Sequence, residues 1–67
     1  MRTLEYQAVP EDEGVRLGLI LERRLDLSER QIRQLKYLPQ GITVNGVRQR
    51  IDHTVHCMDM IRVSFSD

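Results

Sequence analysis

Residues 27–46 read LSERQIRQLKYLPQGITVNG and hold the two strongest local signals in the 67-residue chain. Ser28 and Gln31 have the spacing of a capping box, in which each side chain accepts a hydrogen bond from the other residue's backbone. Together with the proline that follows, which disfavours helical geometry in the residue before it, they predict a helix over residues 28–37. Asn45-Gly46 is the dipeptide that type I′ hairpin turns require. The stretch therefore predicts a helix followed by a β-hairpin.

The N-terminal part of the chain predicts a strand and another helix. Residues 2–9 alternate between polar and apolar, as in a half-buried strand, and the proline after them ends the strand. Leucines and an isoleucine at helical spacing predict a helix over roughly residues 13–25, with the acidic residues 11–13 at its N-terminus, where negative charge is favourable. Gly18 within this helix costs about 1 kcal/mol relative to alanine. We therefore expect another segment to pack closely against it.

The C-terminal part predicts three short strands. Residues 42–44 and the alternating residues 47–51 flank the predicted turn, and a polar loop over residues 52–59 leads to a last strand over residues 61–65. The predicted order is β-α-α-β-β-β. This predicts an α+β fold, a single domain over residues 1–67 in which two helices pack on a short antiparallel sheet.

The charges are unevenly distributed, although the net charge is zero. Residues 1–15 have a net charge of −3 and residues 51–67 a net charge of −2. Residues 16–50 carry eight basic and three acidic side chains, a net charge of +5. Clustered basic charge is typical of proteins that bind nucleic acids.

Composition narrows the class of protein. Cys57 is the sole cysteine, so an intrachain disulfide and a disulfide-stapled secreted scaffold are excluded. No apolar run approaches the roughly 20 residues that a membrane helix needs, and the N-terminus lacks the pattern of a signal peptide. We expect a soluble, cytoplasmic, monomeric protein.

One face of the second predicted helix combines basic and aromatic residues. Arg30, Arg33 and Tyr37 recur at i, i+3 and i+7, and Lys36 flanks them. Guanidinium groups suit phosphate oxygens, and a tyrosine among them can stack on an unpaired base or a ribose. A solvated helix face explains the same spacing equally well. Arg16 belongs to a weaker basic edge on the first helix.

The sequence resembles the RNA-binding domain named after small-subunit ribosomal protein four, here called the S-four domain. The likeness covers residues 3–65 and is greatest to the domain at the N-terminus of RluA/RluD-type pseudouridine synthases, which modify large-subunit ribosomal RNA. It implies a compact helix-helix-hairpin unit, the alpha-L fold, that docks on the backbone of folded RNA. The matching elements are Arg16-Leu17, then Leu27-Ser28-x-Arg30-x-Ile32-Arg33-x-Leu35-Lys36, and Gly41-Ile42-x-Val44-Asn45-Gly46.

The resemblance also implies a set of RNA contacts. Ser28 and Asn45 belong to this set, although both have structural interpretations as a helix cap and a turn residue. Met58 stands where the family usually has a glycine, so the turn into the last strand is expected to differ. With Tyr37 of the helix face and Arg48 of the basic segment, the predicted RNA-binding residues are Arg16, Ser28, Arg30, Arg33, Lys36, Tyr37, Asn45 and Arg48.

Two sequence features suggest a catalytic or metal-binding site, and for both we prefer a structural interpretation. Asp26 lies in an Arg-Leu-Asp tripeptide like the one that carries the catalytic aspartate of pseudouridine synthases, but no large cleft for a flipped base can form around it. His53, His56 and Cys57 provide three candidate metal ligands without the usual spacing or a fourth partner. We expect surface histidines, a buried cysteine, and no catalytic residue, metal or cofactor.

The expected function is RNA docking without catalysis. The chain is interpreted as the N-terminal part of a longer ribosomal RNA pseudouridine synthase, an isomerase whose catalytic domain lies outside these residues. A free-standing S-four protein is an alternative within RNA binding. A protein-interaction domain of the β-grasp type is the alternative from another class, although two consecutive helices before a hairpin and the lack of a C-terminal glycine pair fit it poorly.

Overall fold

The computed structural model describes residues 2–65. It contains two α-helices, a short 3₁₀ helix and four strands, in the predicted order β-α-α-β-β-β. The α+β class predicted from the sequence is thus confirmed. The elements are β1 (Arg2–Gln7), the 3₁₀ helix (Pro10–Asp12), α1 (Leu17–Arg23), α2 (Glu29–Lys36), β2 (Ile42–Val44), β3 (Val47–Arg48) and β4 (Met60–Phe65).

The four strands form one antiparallel sheet in the order β1-β4-β2-β3. Val63 of β4 lies opposite Leu4 of β1 on one side and opposite Ile42 of β2 on the other. Because side chains alternate along a strand, these three residues share one face, and the helices pack on it. The other face carries Glu5 and Arg62, whose charged groups approach to 3.9 Å.

The core is a thin layer between this sheet face and the two helices. Side chains of α1, α2, β2 and β4 meet in it, and burial of each large aliphatic side chain contributes about 1.5–3 kcal/mol. Ile32 and Leu35 of α2 are buried, as predicted. Arg30, Arg33 and Lys36 lie on the other side of the helix and are exposed.

The hairpin turn has the predicted conformation. Asn45 and Gly46 have φ angles of 53° and 81°, and positive φ at both central positions defines the type I′ turn. The return strand is shorter than predicted, because the chain leaves the sheet after Arg48. There the His53 amide donates a hydrogen bond to the Arg50 carbonyl oxygen at 3.0 Å, closing a new turn.

Gly18 permits a close approach between α1 and this turn. Its amide donates to the carbonyl oxygen of Ile51 at 2.8 Å. A Cβ atom on Gly18 would lie 3.2 Å from the Ile51 Cβ and 3.3 Å from its carbonyl oxygen. The expected close packing is confirmed, and it holds the segment after β3 against the start of α1.

The first helix begins later than predicted. The sequence predicted residues 13–25, whereas α1 spans Leu17–Arg23. The acidic residues 11–13 do not form its N-terminus, because Pro10–Asp12 form a separate 3₁₀ helix. Asp12 is only 3% exposed, so its carboxylate serves a tertiary contact instead of a helix end.

The Asp12 carboxylate accepts three hydrogen bonds. The Tyr6 hydroxyl and the Val9 amide donate to Oδ2 at 2.5 and 3.0 Å. The Nε of Arg24 donates to Oδ1 at 3.2 Å. Tyr6 belongs to β1 and Arg24 follows α1, so this carboxylate ties the first strand to the end of the first helix.

These contacts shift two pKa values in opposite directions. Burial alone would raise the pKa of Asp12, but the hydrogen bonds from Tyr6 and Val9 and the charge of Arg24 outweigh it, and the pKa falls below its usual value. The hydrogen bond to Asp12, reinforced by burial, raises the pKa of the Tyr6 hydroxyl. The folded state therefore favours a charged Asp12 and a neutral Tyr6.

Replacing Asp12 should lower the free energy of unfolding and make that free energy less sensitive to acid. Asp12→Asn loses charge-assisted hydrogen bonds, and we expect the free energy of unfolding to fall by about 2 kcal/mol at pH 7. The lowered pKa of Asp12 contributes stability that is present above about pH 4, its unfolded value, and is lost as pH falls through the folded value. Urea unfolding between pH 2 and 7 should thus give a shallower acid limb for the variant.

The matched control is Glu11→Gln, which removes the same charge from an exposed neighbour. It should leave the acid limb close to that of the wild type. Equal acid limbs for Asp12→Asn and the wild type would contradict the role assigned to this carboxylate.

Met58 should be replaceable by glycine with a gain in stability. Its φ of 77° is in the left-handed region, which costs a residue with a side chain roughly 1–2 kcal/mol, and its side chain is largely exposed. Glycine removes that cost, but it also makes the unfolded chain more flexible, which offsets about 0.4–1 kcal/mol of the gain. We expect Met58→Gly to raise the free energy of unfolding by about 0.5–1 kcal/mol in thermal or urea unfolding. Met60→Gly, in extended strand β4, should lower it.

Candidate nucleic-acid interface

The N-terminus of α2 is fixed by the predicted capping box. The Gln31 amide donates to the Ser28 hydroxyl at 3.1 Å, and the Ser28 amide donates to Oε1 of Gln31 at 2.9 Å. Two helix-terminal donors that would otherwise lack partners are thereby satisfied. The Ser28 hydroxyl, predicted as an RNA contact, is occupied as a helix cap.

The exposed side of α2 carries the predicted cluster, here called the α2 basic face: Arg30, Arg33, Lys36 and Tyr37. All four are exposed, and Tyr37 is 82% exposed. Arg33 approaches Glu29 to 3.6 Å, but a pair between two exposed side chains is worth at most about 1 kcal/mol. Within residues 2–65, no acidic side chain forms an ion pair with Arg30 or Lys36. The face is open to an anionic partner.

Arg48 joins the hairpin to the end of α2. Its Nη2 donates to the carbonyl oxygen of Lys36 at 3.1 Å. This carbonyl lies in the last turn of α2, where intrahelical donors are lacking, so the guanidinium caps the helix. The structure therefore brings Arg48 next to the α2 basic face, although 12 residues separate it from Lys36 in the chain.

A groove of about 830 Å³ lies between the end of α2 and the segment after β3; we call it the hairpin groove. Leu35, Leu38 and Ile42 provide apolar lining. Local spacing in the sequence does not reveal it, because its walls come from distant segments. Its polar lining includes Lys36, Arg48, Gln49, Arg50, Asp52 and His53.

Sequence reasoning did not place Arg50 or His53 among the RNA-binding residues; His53 was considered only as a candidate metal ligand. Arg50 counted only toward the regional basic charge, and its neighbours were predicted to continue a strand. The turn that replaces this strand places both residues on the groove. The regional charge was the one signal for Arg50, and no signal pointed to His53 as an RNA contact.

Arg16 lies at the other side of this turn and not on the α2 basic face. It is the residue before α1, with an extended backbone and an exposed side chain, and its backbone forms a bridge with Thr54. The amide of Leu17 donates to the carbonyl oxygen of His53 at 2.8 Å. Arg16 is therefore a neighbour of the segment that lines the groove.

Asn45 is used by the fold and lies beside a negative charge. Its Nδ2 donates to Oδ1 of Asp59 at 2.9 Å, and its Oδ1 accepts from the Met60 amide at 2.9 Å. Hydrogen bonds from the His56 amide and from Asn45 lower the pKa of Asp59, so this carboxylate is charged at neutral pH. A carboxylate at this distance disfavours a phosphate, which makes Asn45 a poor RNA contact.

The histidine and cysteine cluster is arranged around Glu13. The Glu13 carboxylate lies 2.5 Å from Nδ1 of His56 and accepts a hydrogen bond from the Cys57 amide at 3.0 Å. The bond from Cys57, followed by that from His56, lowers the pKa of Glu13, and Glu13 in turn raises the pKa of His56. Cys57 is half-buried, not buried as expected.

No arrangement for metal binding is found in the described part of the chain. Residues 2–65 contain no group of three histidine, cysteine, aspartate or glutamate residues placed to hold a metal ion. Asp26 is exposed in the loop between the helices, with a φ of 55°. Aspartate is among the few residues that tolerate this conformation, which accounts for it there.

Comparisons of the chain with protein-family models, with curated proteins and with solved structures find no match. The S-four likeness therefore remains a resemblance carried by the residues quoted above. Over the described residues, no helix has both the length and the apolar character needed to cross a membrane.

Asn45→Ala should reduce stability without reducing the RNA affinity that the sequence predicts. The substitution removes two hydrogen bonds and leaves alanine in the left-handed region, so we expect the free energy of unfolding to fall by about 1–2 kcal/mol. Binding measured well below the unfolding midpoint should match that of the wild type. A loss of RNA affinity in the fully folded variant would instead assign Asn45 to the interface.

Proposed function

We propose that the chain binds structured RNA through the α2 basic face. Three cationic side chains engage backbone phosphates, and the exposed Tyr37 stacks on an unpaired base or a ribose. The observation that carries the proposal is the exposure of Arg30, Arg33 and Lys36 on one face of α2, with the exposed Tyr37 as its C-cap. That helix is anchored by its cap and by the burial of Ile32 and Leu35.

The net charge of zero does not oppose this function, because several acidic groups are engaged elsewhere. Asp12 is paired with Arg24, Glu13 with His56 and Glu5 with Arg62. Charges beyond about 8 Å are largely screened at physiological ionic strength. An approaching phosphate therefore responds to the local cations of α2 and not to the sum over the chain.

The resemblance supports a more specific proposal. In it, the chain is the docking module of a ribosomal RNA pseudouridine synthase that works in the cytoplasm, and the isomerisation belongs to a catalytic domain outside residues 1–67. The isolated position of Asp26 agrees with a role without catalysis. The coding sequence downstream of residue 67 tests this, since a catalytic domain in the same reading frame is required.

Binding to an RNA hairpin should weaken steeply with salt. Three neutralised phosphates predict a slope of about −2 to −3 in log affinity against log salt concentration. Arg30→Ala and Arg33→Ala should each lower affinity and reduce the slope by about 1, because each removes one phosphate contact. Fluorescence anisotropy at several salt concentrations measures both quantities.

The matched control is Arg62→Ala, which removes a cation from the opposite face of the sheet. Its affinity and slope should stay near those of the wild type. Midpoints of thermal unfolding should also be similar for all three variants, since the substituted side chains are exposed. Unchanged RNA affinity in both Arg30→Ala and Arg33→Ala would refute the proposed function.

A further inference from the structure

The hairpin groove offers a ligand mainly charged and polar side chains. Two of its apolar residues, Leu35 and Ile42, are only 1% and 3% exposed, so a ligand meets almost none of their surface. The charged side chains of the lining are three cations and one carboxylate: Lys36, Arg48, Arg50 and Asp52. A cleft lined by an excess of one charge attracts ligands of the opposite charge. The lining therefore favours an anion.

The three cations of the groove are available to such a ligand. Lys36, Arg48 and Arg50 are all exposed. Within residues 2–65, none of them forms an ion pair with an acidic side chain, Asp52 included. Arg48 gives an N–H to the carbonyl oxygen of Lys36 at 3.1 Å. A guanidinium carries several further N–H donors, so this contact leaves Arg48 able to bind an anion as well.

The backbone oxygens next to the groove are already engaged within the protein. In the turn after β3, the Arg50 carbonyl oxygen accepts a hydrogen bond from the His53 amide at 3.0 Å. The carbonyl oxygens of Ile51 and His53 accept hydrogen bonds from amides at the start of α1, both at 2.8 Å. At the end of α2, where carbonyl groups disfavour an anion, the guanidinium of Arg48 caps Lys36. Asp52 is thus the main group that opposes an anion here.

Lys36 makes the groove continuous with the α2 basic face, because it belongs to both. A polyanion that lies along α2 therefore reaches Arg48 and Arg50 without crossing a gap in positive charge. A single small anion gains little from exposed cations, since such pairs are weak in water. A polymer that makes several weak contacts at once binds far more tightly than any one contact allows. The anion that this arrangement suits is a polymer backbone.

We propose that the hairpin groove seats a backbone phosphate of the bound RNA, with Arg48 and Arg50 as its ligands. The RNA backbone then runs along α2, passes Lys36 and continues onto the segment after β3. This inference rests on the proposed RNA binding and extends its footprint beyond the helix. The ligand is an RNA strand whose phosphates reach past the C-terminal end of α2.

A phosphate contact in the groove should steepen the salt dependence of RNA binding. Four neutralised phosphates predict a slope of about −3 to −4 in log affinity against log salt concentration, instead of about −2 to −3 for α2 alone. Arg50→Gln should lower affinity and reduce the slope by about 1. Fluorescence anisotropy with an RNA hairpin and the full 67-residue chain measures both quantities. The matched control Arg62→Gln, beside Glu5 and outside the groove, should keep the wild-type slope.

Asp52→Asn tests the site in the opposite direction. Removing the one carboxylate of the lining should tighten RNA binding by about two- to fivefold, the size of a weak exposed charge interaction. A gain in affinity cannot come from a fold defect. The matched control is Glu11→Gln, which removes the same charge from an exposed residue outside the groove and should leave the affinity unchanged.

Inorganic phosphate alone distinguishes the RNA backbone from a free ion. The amide signals of residues 49–53 in NMR spectra should shift and saturate on titration with the RNA hairpin. With inorganic phosphate at the same ionic strength, they should show no saturation. Saturation by inorganic phosphate at low millimolar concentration would assign the groove to a small free anion and overturn the inference.

An unchanged salt slope in Arg50→Gln, or an unchanged affinity in Asp52→Asn, would also overturn the groove site. The proposed function stands in that case if Arg30→Ala and Arg33→Ala still lower the affinity. If the wild type binds no RNA hairpin at low salt, RNA binding itself fails and the groove site fails with it. The α2 variants and the groove variants thus separate the two proposals.

Discussion

The buried carboxylate of Asp12 holds the first third of the chain in place. A buried charge is costly unless it is paired, and here three donors from β1, the following segment and the end of α1 surround it. Within residues 2–65, no buried side-chain nitrogen or oxygen lacks a hydrogen-bond partner. The 3₁₀ turn that positions Asp12 also delays the start of α1 until Leu17. From there Gly18 can accept the close approach of Ile51, which in turn shapes one wall of the groove.

The parts of the fold that the sequence predicted are those determined by neighbouring residues. The capping box at Ser28 and the Asn45-Gly46 turn involve residues no more than three positions apart, and both form as expected. Alternation and helical spacing also placed β1, β2, β4 and the buried side of α2, whereas the return strand β3 is shorter than predicted. The predicted start of α1 was wrong. An acidic run locally favours a helix N-terminus, but Asp12 makes stronger contacts with Tyr6 and Arg24, which local spacing does not reveal.

The candidate interface likewise contains a part that local sequence patterns predict and a part that depends on contacts between distant residues. The α2 basic face follows from helical periodicity, so it was predictable in full. The hairpin groove depends on Arg48 reaching the end of α2 and on the turn that replaces the predicted strand. No spacing rule connects Lys36 with His53, which explains why the sequence did not place Arg50 and His53 on this groove. Asn45 was predicted as an RNA contact, but the structure places it beside a carboxylate 14 residues away in the chain. A local sequence motif contains no information about such a distant neighbour.

The hydrogen bond between Arg48 and the Lys36 carbonyl oxygen also bears on the entropy of association. It joins the helix and the hairpin, so the two sides of the groove are held in register before any ligand arrives. Ordering a loop or a long side chain at an interface costs about 0.5–1.5 kcal/mol for each group immobilised. A guanidinium that is already held loses little further freedom when a partner binds to it. The short β3 strand, which pairs only two residues with β2, is thereby supported from the helix side as well, so the helix and the hairpin form one preorganised unit.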